Sequence, residues 1–170
     1  MSEKTKIFIS YSHKNEKDFM VLMSHLNAIA KYNNLDTFTD QQIDIGETLD
    51  EAIQEKLQEA HMVVCIVSTE YLNSDYCIRK ELEIALEKQL IDNTKIFPII
   101  AEESMWKRTY FGQLKCAPKD GGPVSKYENI DSAYLTIVDQ LMNQIEKNRE
   151  SEIEKKRQSD SSVVLTVGKV

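Results

Sequence analysis

The chain is short of the residues that build cross-links, metal cages and phosphate loops. Its 170 residues hold three cysteines, three histidines, five glycines, three prolines and one tryptophan. Cys65, Cys77 and Cys116 are odd in number and far apart. That excludes a disulfide framework and a zinc site, and fits reduced thiols. His13, His25 and His61 show no metal-ligand spacing, so no metal is expected. No apolar run approaches the roughly 20 residues that cross a bilayer. The N-terminus, M-S-E-K-T-K, lacks a signal-peptide core. The expected location is the cytoplasm, with no membrane partner. Basic residues do not cluster in the body of the chain, and the net charge is -7. Both points argue against a nucleic-acid backbone as ligand. Internal repeats and low-complexity tracts are also missing.

What is there is ordinary globular material, 41% hydrophobic and 29% charged. The length suits one domain with a core and a short extension. Lys6 to Ser10 reads as a strand. Phe19, Leu22, Met23, Leu26, Ile29 and Ala30 then recur at helical spacing between about Asn15 and Ala30. Leu35 to Thr39 alternates and is expected at a sheet edge. Asp40 to Glu47 is a loop with the first glycine, Gly46. Thr48-Leu49-Asp50-Glu51 forms a capping box for a helix whose face is Leu49, Ala52, Ile53, Leu57 and Ala60. Met62 to Val67 is apolar throughout and reads as a fully buried strand. Ile96 to Ile100 is another, in which Pro98 implies a short or missing neighbour on its N–H side. Trp106, Tyr110 and Phe111 fall in an irregular segment, where Trp106 reads as packing. Pro123 to Ser125 is expected as a minimal last strand. Asp131 is expected to cap a final helix, with Ile130 and Leu135 as a staple, and Leu135, Val138, Leu141, Met142 and Ile145 as its face. Beyond Glu146 the chain is charged, then ends strand-like in V-V-L-T-V-G-K-V.

Strand and helix alternate five times, which predicts an α/β fold with a parallel, doubly wound sheet. Ligands of such sheets bind at the C-terminal strand ends, where strand order reverses. The loops there are Tyr11 to Asn15, Asp40 to Glu47 and Ser68 to Ser74. The last leads into the stretch of most interest, Ser68 to Lys88, with Ser74 as N-cap and Asp75 at the positive helix end. At roughly 100° per residue, Ile78, Leu82, Ala85 and Leu86 share one apolar stripe. Glu83 and Glu87 lie opposite. Glu81 sits on the border, about 60° from Ile78, and is the acid expected to be half buried against the sheet. A carboxylate so placed is a candidate for chemistry.

Four stretches carry a family resemblance. They are K-I-F-I-S-Y-S-H at Lys6 to His13, F-T-D-Q-Q-I-D-I-G-E at Phe38 to Glu47, S-T-E-Y-L-N-S-D-Y-C-I-R-K-E-L at Ser68 to Leu82, and F-G-Q-L-K-C-A-P-K-D-G-G-P-V-S at Phe111 to Ser125. In this order they resemble the bacterial, NAD-consuming branch of the TIR (Toll/interleukin-receptor homology) domain family. The resemblance covers Lys6 to about Lys147. The domain is expected over 1–147. Composition marks 148–170 as a charged linker or helical extension with a strand-like end, expected to begin a second domain or to add a strand to a neighbour. The implied fold is flavodoxin-like, a five-stranded parallel sheet of order 2-1-3-4-5. A receiver or flavodoxin-type domain shares that layout. The first strand here ends in Ser-Tyr-Ser, with neither an acidic pair for magnesium nor a phosphate-cradling loop.

The implied activity is NAD+ glycohydrolysis, giving nicotinamide and ADP-ribose or a cyclic isomer. NAD+ is then substrate, and no cofactor is needed. By resemblance Glu81 is the catalytic glutamate. Tyr11, Ser12 and His13 lie where family members touch substrate, and Asp40 and Gly46 shape the BB loop at the same edge. The family pattern has a tryptophan before the cysteine and two residues between cysteine and glutamate. This chain has Tyr76-Cys77 and three residues, Ile78, Arg79 and Lys80. Tyr76 is the nearest substitute for stacking nicotinamide, and Cys77 falls four residues before Glu81, on one helix face. The resemblance further implies activation by TIR–TIR self-association, a role in anti-phage defence, and a sensor domain in the same or a partner chain. The alternative is a non-catalytic adaptor acting through TIR–TIR contact.

Overall fold

The apolar runs become four parallel strands: β1 (Thr5–Ser10), β2 (Leu35–Phe38), β3 (Met62–Val67) and β4 (Lys95–Ile100). This computed structural model describes residues 3–39, 49–119 and 122–167, with the backbone alone for 49, 79, 80 and 162–167. The strand order is β2-β1-β3-β4. Phe8 pairs with Val63 and Ser10 with Cys65 across the central β1–β3 ladder. Every residue of β3 is buried, as its unbroken apolar sequence requires. β2 takes the edge, as its alternation predicts.

The helices are α1 (Glu16–Ala30), α2 (Leu49–Glu59), α3 (Thr69–Asn73), a π-helix (Tyr76–Leu82), α4 (Glu83–Asp92) and α5 (Ile130–Val167). Successive strand residues face opposite sides. Phe8, Val63, Cys65 and Val67 therefore share one face, and there they cluster with Ile53 and Leu57 of α2, Cys77 and Leu82 of the π-helix, Ala85 of α4, and Phe111. Phe19, Leu22 and Leu26 of α1 are buried, as are Ala133, Tyr134 and Ile137 of α5. The Tyr134 hydroxyl donates to Asp18 Oδ1 at 2.8 Å and ties α5 to α1.

The structure corrects three expectations. The described sheet has four strands where five were expected. Val124–Lys126 is a 3-10 turn, so the Pro123 to Ser125 strand does not form. Beside β4, among the described residues, lies a single parallel bridge, Ile99 with Ala117. Ala117 donates to the Pro98 carbonyl and accepts from the Ile100 amide, both at 2.9 Å. The missing Pro98 donor thus faces a neighbour one residue long, and Pro118 stops that neighbour from growing by removing the next donor. Second, α5 is capped by Asn129, whose Oδ1 accepts from the Asp131 and Ser132 amides at 2.8 and 3.3 Å. Asp131 instead meets His25 at 3.1 Å. Leu135 is 57% exposed, so no staple forms, while Val138, Leu141, Met142 and Ile145 are buried. Third, helix continues through Val167, so of the two forms expected after residue 147 the helical extension is the one found, and 163–167 are helix where a strand-like end was expected.

The chain divides into two compact units, Met1–Val138 and Asp139–Val170. The described part of the second is the remainder of α5. Among the described residues, no helix is long and apolar enough to cross a membrane. Nor does any group of three or more His, Cys, Asp or Glu have the arrangement to hold a metal ion.

Candidate active site

The strand order reverses between β1 and β3, since β2 lies outside one and β4 outside the other. That is the switch point where doubly wound sheets leave a crevice. Ser10 ends β1 there, and its register partner Cys65 lies beside it on β3. Ser68 follows β3 and caps α3 by accepting from the Tyr71 amide at 3.0 Å. Its hydroxyl donates to Asn15 Oδ1 at 2.5 Å, joining the loops after β1 and β3.

Ser74 is extended at φ -80° and ψ 109°, and breaks the chain between α3 and the π-helix. Its Oγ accepts from the Cys77 amide at 3.1 Å, the cap its position predicts. Within the π-helix, the Glu83 amide reaches back five residues to the Ile78 carbonyl. A π turn holds more residues than an α turn. Cys77 is itself buried and gives its thiol to the Tyr11 carbonyl at 3.4 Å. The wider turn absorbs the third residue between Cys77 and Glu81. It also corrects the expected depth of Glu81. The side chain is 2% exposed, fully inside the fold and not on its border. Glu83 and Glu87 are exposed, as the stripe predicts.

Among the described residues, three buried polar side chains stand near Glu81. Ser10 Oγ donates to Glu81 Oε1 at 3.3 Å, a long contact for a hydroxyl on a carboxylate. The same Oγ lies 2.9 Å from the Tyr71 hydroxyl. Cys65, the register partner of Ser10, is buried beside them. Burial pushes the Cys65 thiol up to about 12. Burial likewise raises Tyr71 well above its ordinary range, and the nearby Glu81 charge adds to the rise. Both groups keep their protons at neutral pH.

Sequence reasoning did not single out Ser10, Cys65 or Tyr71. The available signal was the lone hydroxyl ending an otherwise apolar strand, K-I-F-I-S. Of the residues it did name, Tyr11, Cys77 and Glu81 are brought together. Tyr11 is 5% exposed and stacks on Phe19 at 4.2 Å, so its ring is core. His13 is exposed and meets Tyr11 edge-on at 6.3 Å. Tyr76 is half-buried against the core cluster. Ser12 lines a pocket of about 330 Å³ with Lys14, Thr69, Glu70, Asn73 and Ser74. Glu81 is not among the lining residues. Asp40, Gly46 and Thr48 of the expected capping box lie outside the described residues.

Residues 7–131 match the TIR domain family profile. The chain belongs to the TIR domain family. Over 131 residues, 77% of the chain, it is 30% identical to the uncharacterized protein y4lF of Sinorhizobium fredii. The match spans 41% of that protein, about two fifths of its length. Among solved structures, the TIR fold is similar to the RPS4 and RRS1 TIR domain heterodimer, with TM-score 0.52 and 14% identity, covering 83% of this chain and 97% of the other. It is also similar to the TIR domains of the activated Roq1 resistosome, which directly recognizes the pathogen effector XopQ. There the TM-score is 0.50 and the identity 19%, covering 59% of this chain and 60% of the other. At these identities the likeness is one of fold.

Proposed function

We propose that this TIR domain is an NAD+ glycohydrolase that cleaves the nicotinamide–ribose bond and is switched on by self-association. The observation that carries the reading is a glutamate at the switch point, packed among hydroxyls and held by Ser10. Nicotinamide leaves NAD+ as a neutral base, so its departure needs little acid help. The ribose it leaves behind gathers positive charge, as in glycoside cleavage. A fixed carboxylate steadies that charge and accepts hydrogen bonds from the ribose hydroxyls. Glu81 has the charge and the support for this role. Ser12 and the pocket beside it provide a polar surface at the same strand ends. NAD+ is the substrate, and the reading requires neither metal nor added cofactor.

A non-catalytic scaffold is the second reading, and the depth of Glu81 favours it. At 2% exposure, no ligand reaches the carboxylate of a lone chain without movement. Self-association reconciles the two, since contact between copies can open a site that is shut in one. The RPS4–RRS1 heterodimer and the Roq1 resistosome lend support to assembly as the working state. The bacterial relative is consistent with a role in bacterial defence. The experiment is to incubate concentrated protein with NAD+ and separate the products. The glycohydrolase reading expects nicotinamide from the native chain and none from Glu81→Ala. A scaffold releases none from either.

A further inference from the structure

The buried side chains around Glu81 form an ordered row of donors. A serine or tyrosine hydroxyl has one proton to give. Ser10 gives its proton to Glu81 Oε1. In the 2.9 Å contact between Ser10 and Tyr71, Tyr71 must then be the donor. The row therefore runs Tyr71 O–H, Ser10 O–H, Glu81 carboxylate. Two elements supply its donors, α3 and β1. Ser10, Cys65 and Tyr71 are each fully buried, so water does not compete for these groups.

We propose that Ser10 and Tyr71 are positioning residues that hold the Glu81 carboxylate ionised and correctly turned for the ribose cation. This rests on the glycohydrolase reading and deepens it. With Glu81 ionised, both hydroxyl protons point toward the carboxylate. A protonated Glu81 would instead donate to Ser10, and the row would lose that direction. The 3.3 Å contact fixes which way Oε1 faces. Hydrogen bonds to the charged form favour it, so removing a donor behind Ser10 raises the pH at which the carboxylate takes up a proton.

The test uses the full chain under conditions where the native protein turns over. Tyr71→Phe and Ser10→Ala should each lower kcat roughly ten- to a hundredfold, as loss of a bond to a charged group does. KM should stay within roughly twofold, because the carboxylate these residues position acts on the charge that develops in the transition state. The acid limb of the kcat profile should move to higher pH. Ser10→Thr keeps the hydroxyl and should restore most of the rate. The double variant should be little worse than the worse single one, because the two act as a unit. Ile66→Val in β3 controls for stability; it should lower the melting temperature without moving the pH profile. Should Tyr71→Phe fail to fold, the Ser10→Ala and Ser10→Thr pair makes the same comparison. A second readout needs no turnover. In protein labelled with carboxyl-13C glutamate, with Glu81→Gln as the assignment, the titration midpoint of Glu81 should rise in Tyr71→Phe or Ser10→Ala. Folded variants with unchanged kcat, pH profile and midpoint overturn the proposal. A moved midpoint in a protein that releases no nicotinamide would keep the positioning row and remove the glycohydrolase.

Discussion

Glu81 and Asp18 are both acids drawn away from water, and they differ in the company they keep. Glu81 lies in a polar nest built from three elements. Asp18 lies on α1, where burial raises its pKa above the ordinary carboxylate range although Tyr134 and Asn15 donate to it. A raised acid favours the protonated form in the fold. Its contribution to stability is therefore greatest below the unfolded pKa and is lost as pH climbs through the folded one. Asp18→Asn keeps an acceptor for Tyr134 and cannot ionise. Its stability relative to the native chain should thus improve as pH rises from below the ordinary carboxylate pKa of about 3.9 to neutral. Denaturant unfolding across that range measures it, and a difference that stays flat or falls would contradict the assignment. Part of this scale was legible in the sequence. Helical periodicity put Glu81 near the sheet and Glu83 and Glu87 in solvent, because burial follows the angle around a helix axis. The polar nest was not legible, because Ser10, Cys65 and Tyr71 come from separate strands and turns that only the tertiary fold unites.

The π-helix is the element that sets the site. The extra residue between Cys77 and Glu81 would rotate everything after it by one helical step if the turn stayed α. The π turn takes up that residue, so Leu82 and Ala85 still reach the core. Deleting Lys80 should therefore convert the turn to α at a cost below about 1 kcal/mol. Deleting Glu87 inside α4, where no wide turn exists, should cost more than about 3 kcal/mol by turning the helix beyond it away from its contacts. Equal costs would mean that the π turn does not buffer register. At α5 the capping assignment gives a second test. Asn129→Ala should cost about 1 kcal/mol, while Asp131→Ala should lose only the weak exposed pair with His25. Unfolding curves separate the two. The sequence marked the start of this helix correctly and chose the wrong acceptor. Asp and Asn cap equally well, and backbone geometry alone decides which one stands in the cap. The same limit hid the π turn, since its periodicity differs little from α over a single revolution.

For the whole molecule, five alternations of strand and helix were enough to give a parallel α/β sheet and its switch point. They were not enough to count the strands. Pro118 and the single bridge at Ala117 leave the far edge of β4 with one paired residue, and so short a pairing has no periodicity for a sequence to display. Glu81 is closed inside the fold, so the proposed activation by self-association is tested by protein concentration. If contact between copies opens the site, nicotinamide release per chain should rise with protein concentration, and a crowding agent should raise it further. Constant specific activity over a hundredfold dilution would place the opening within one chain. The most direct measurement of the central claim is nicotinamide release from NAD+ by the native chain and by Glu81→Gln, at equal high concentration and with both shown to be folded. Steady release that falls about 10²–10³-fold in the variant is the predicted result. Equal release from the two proteins would contradict it.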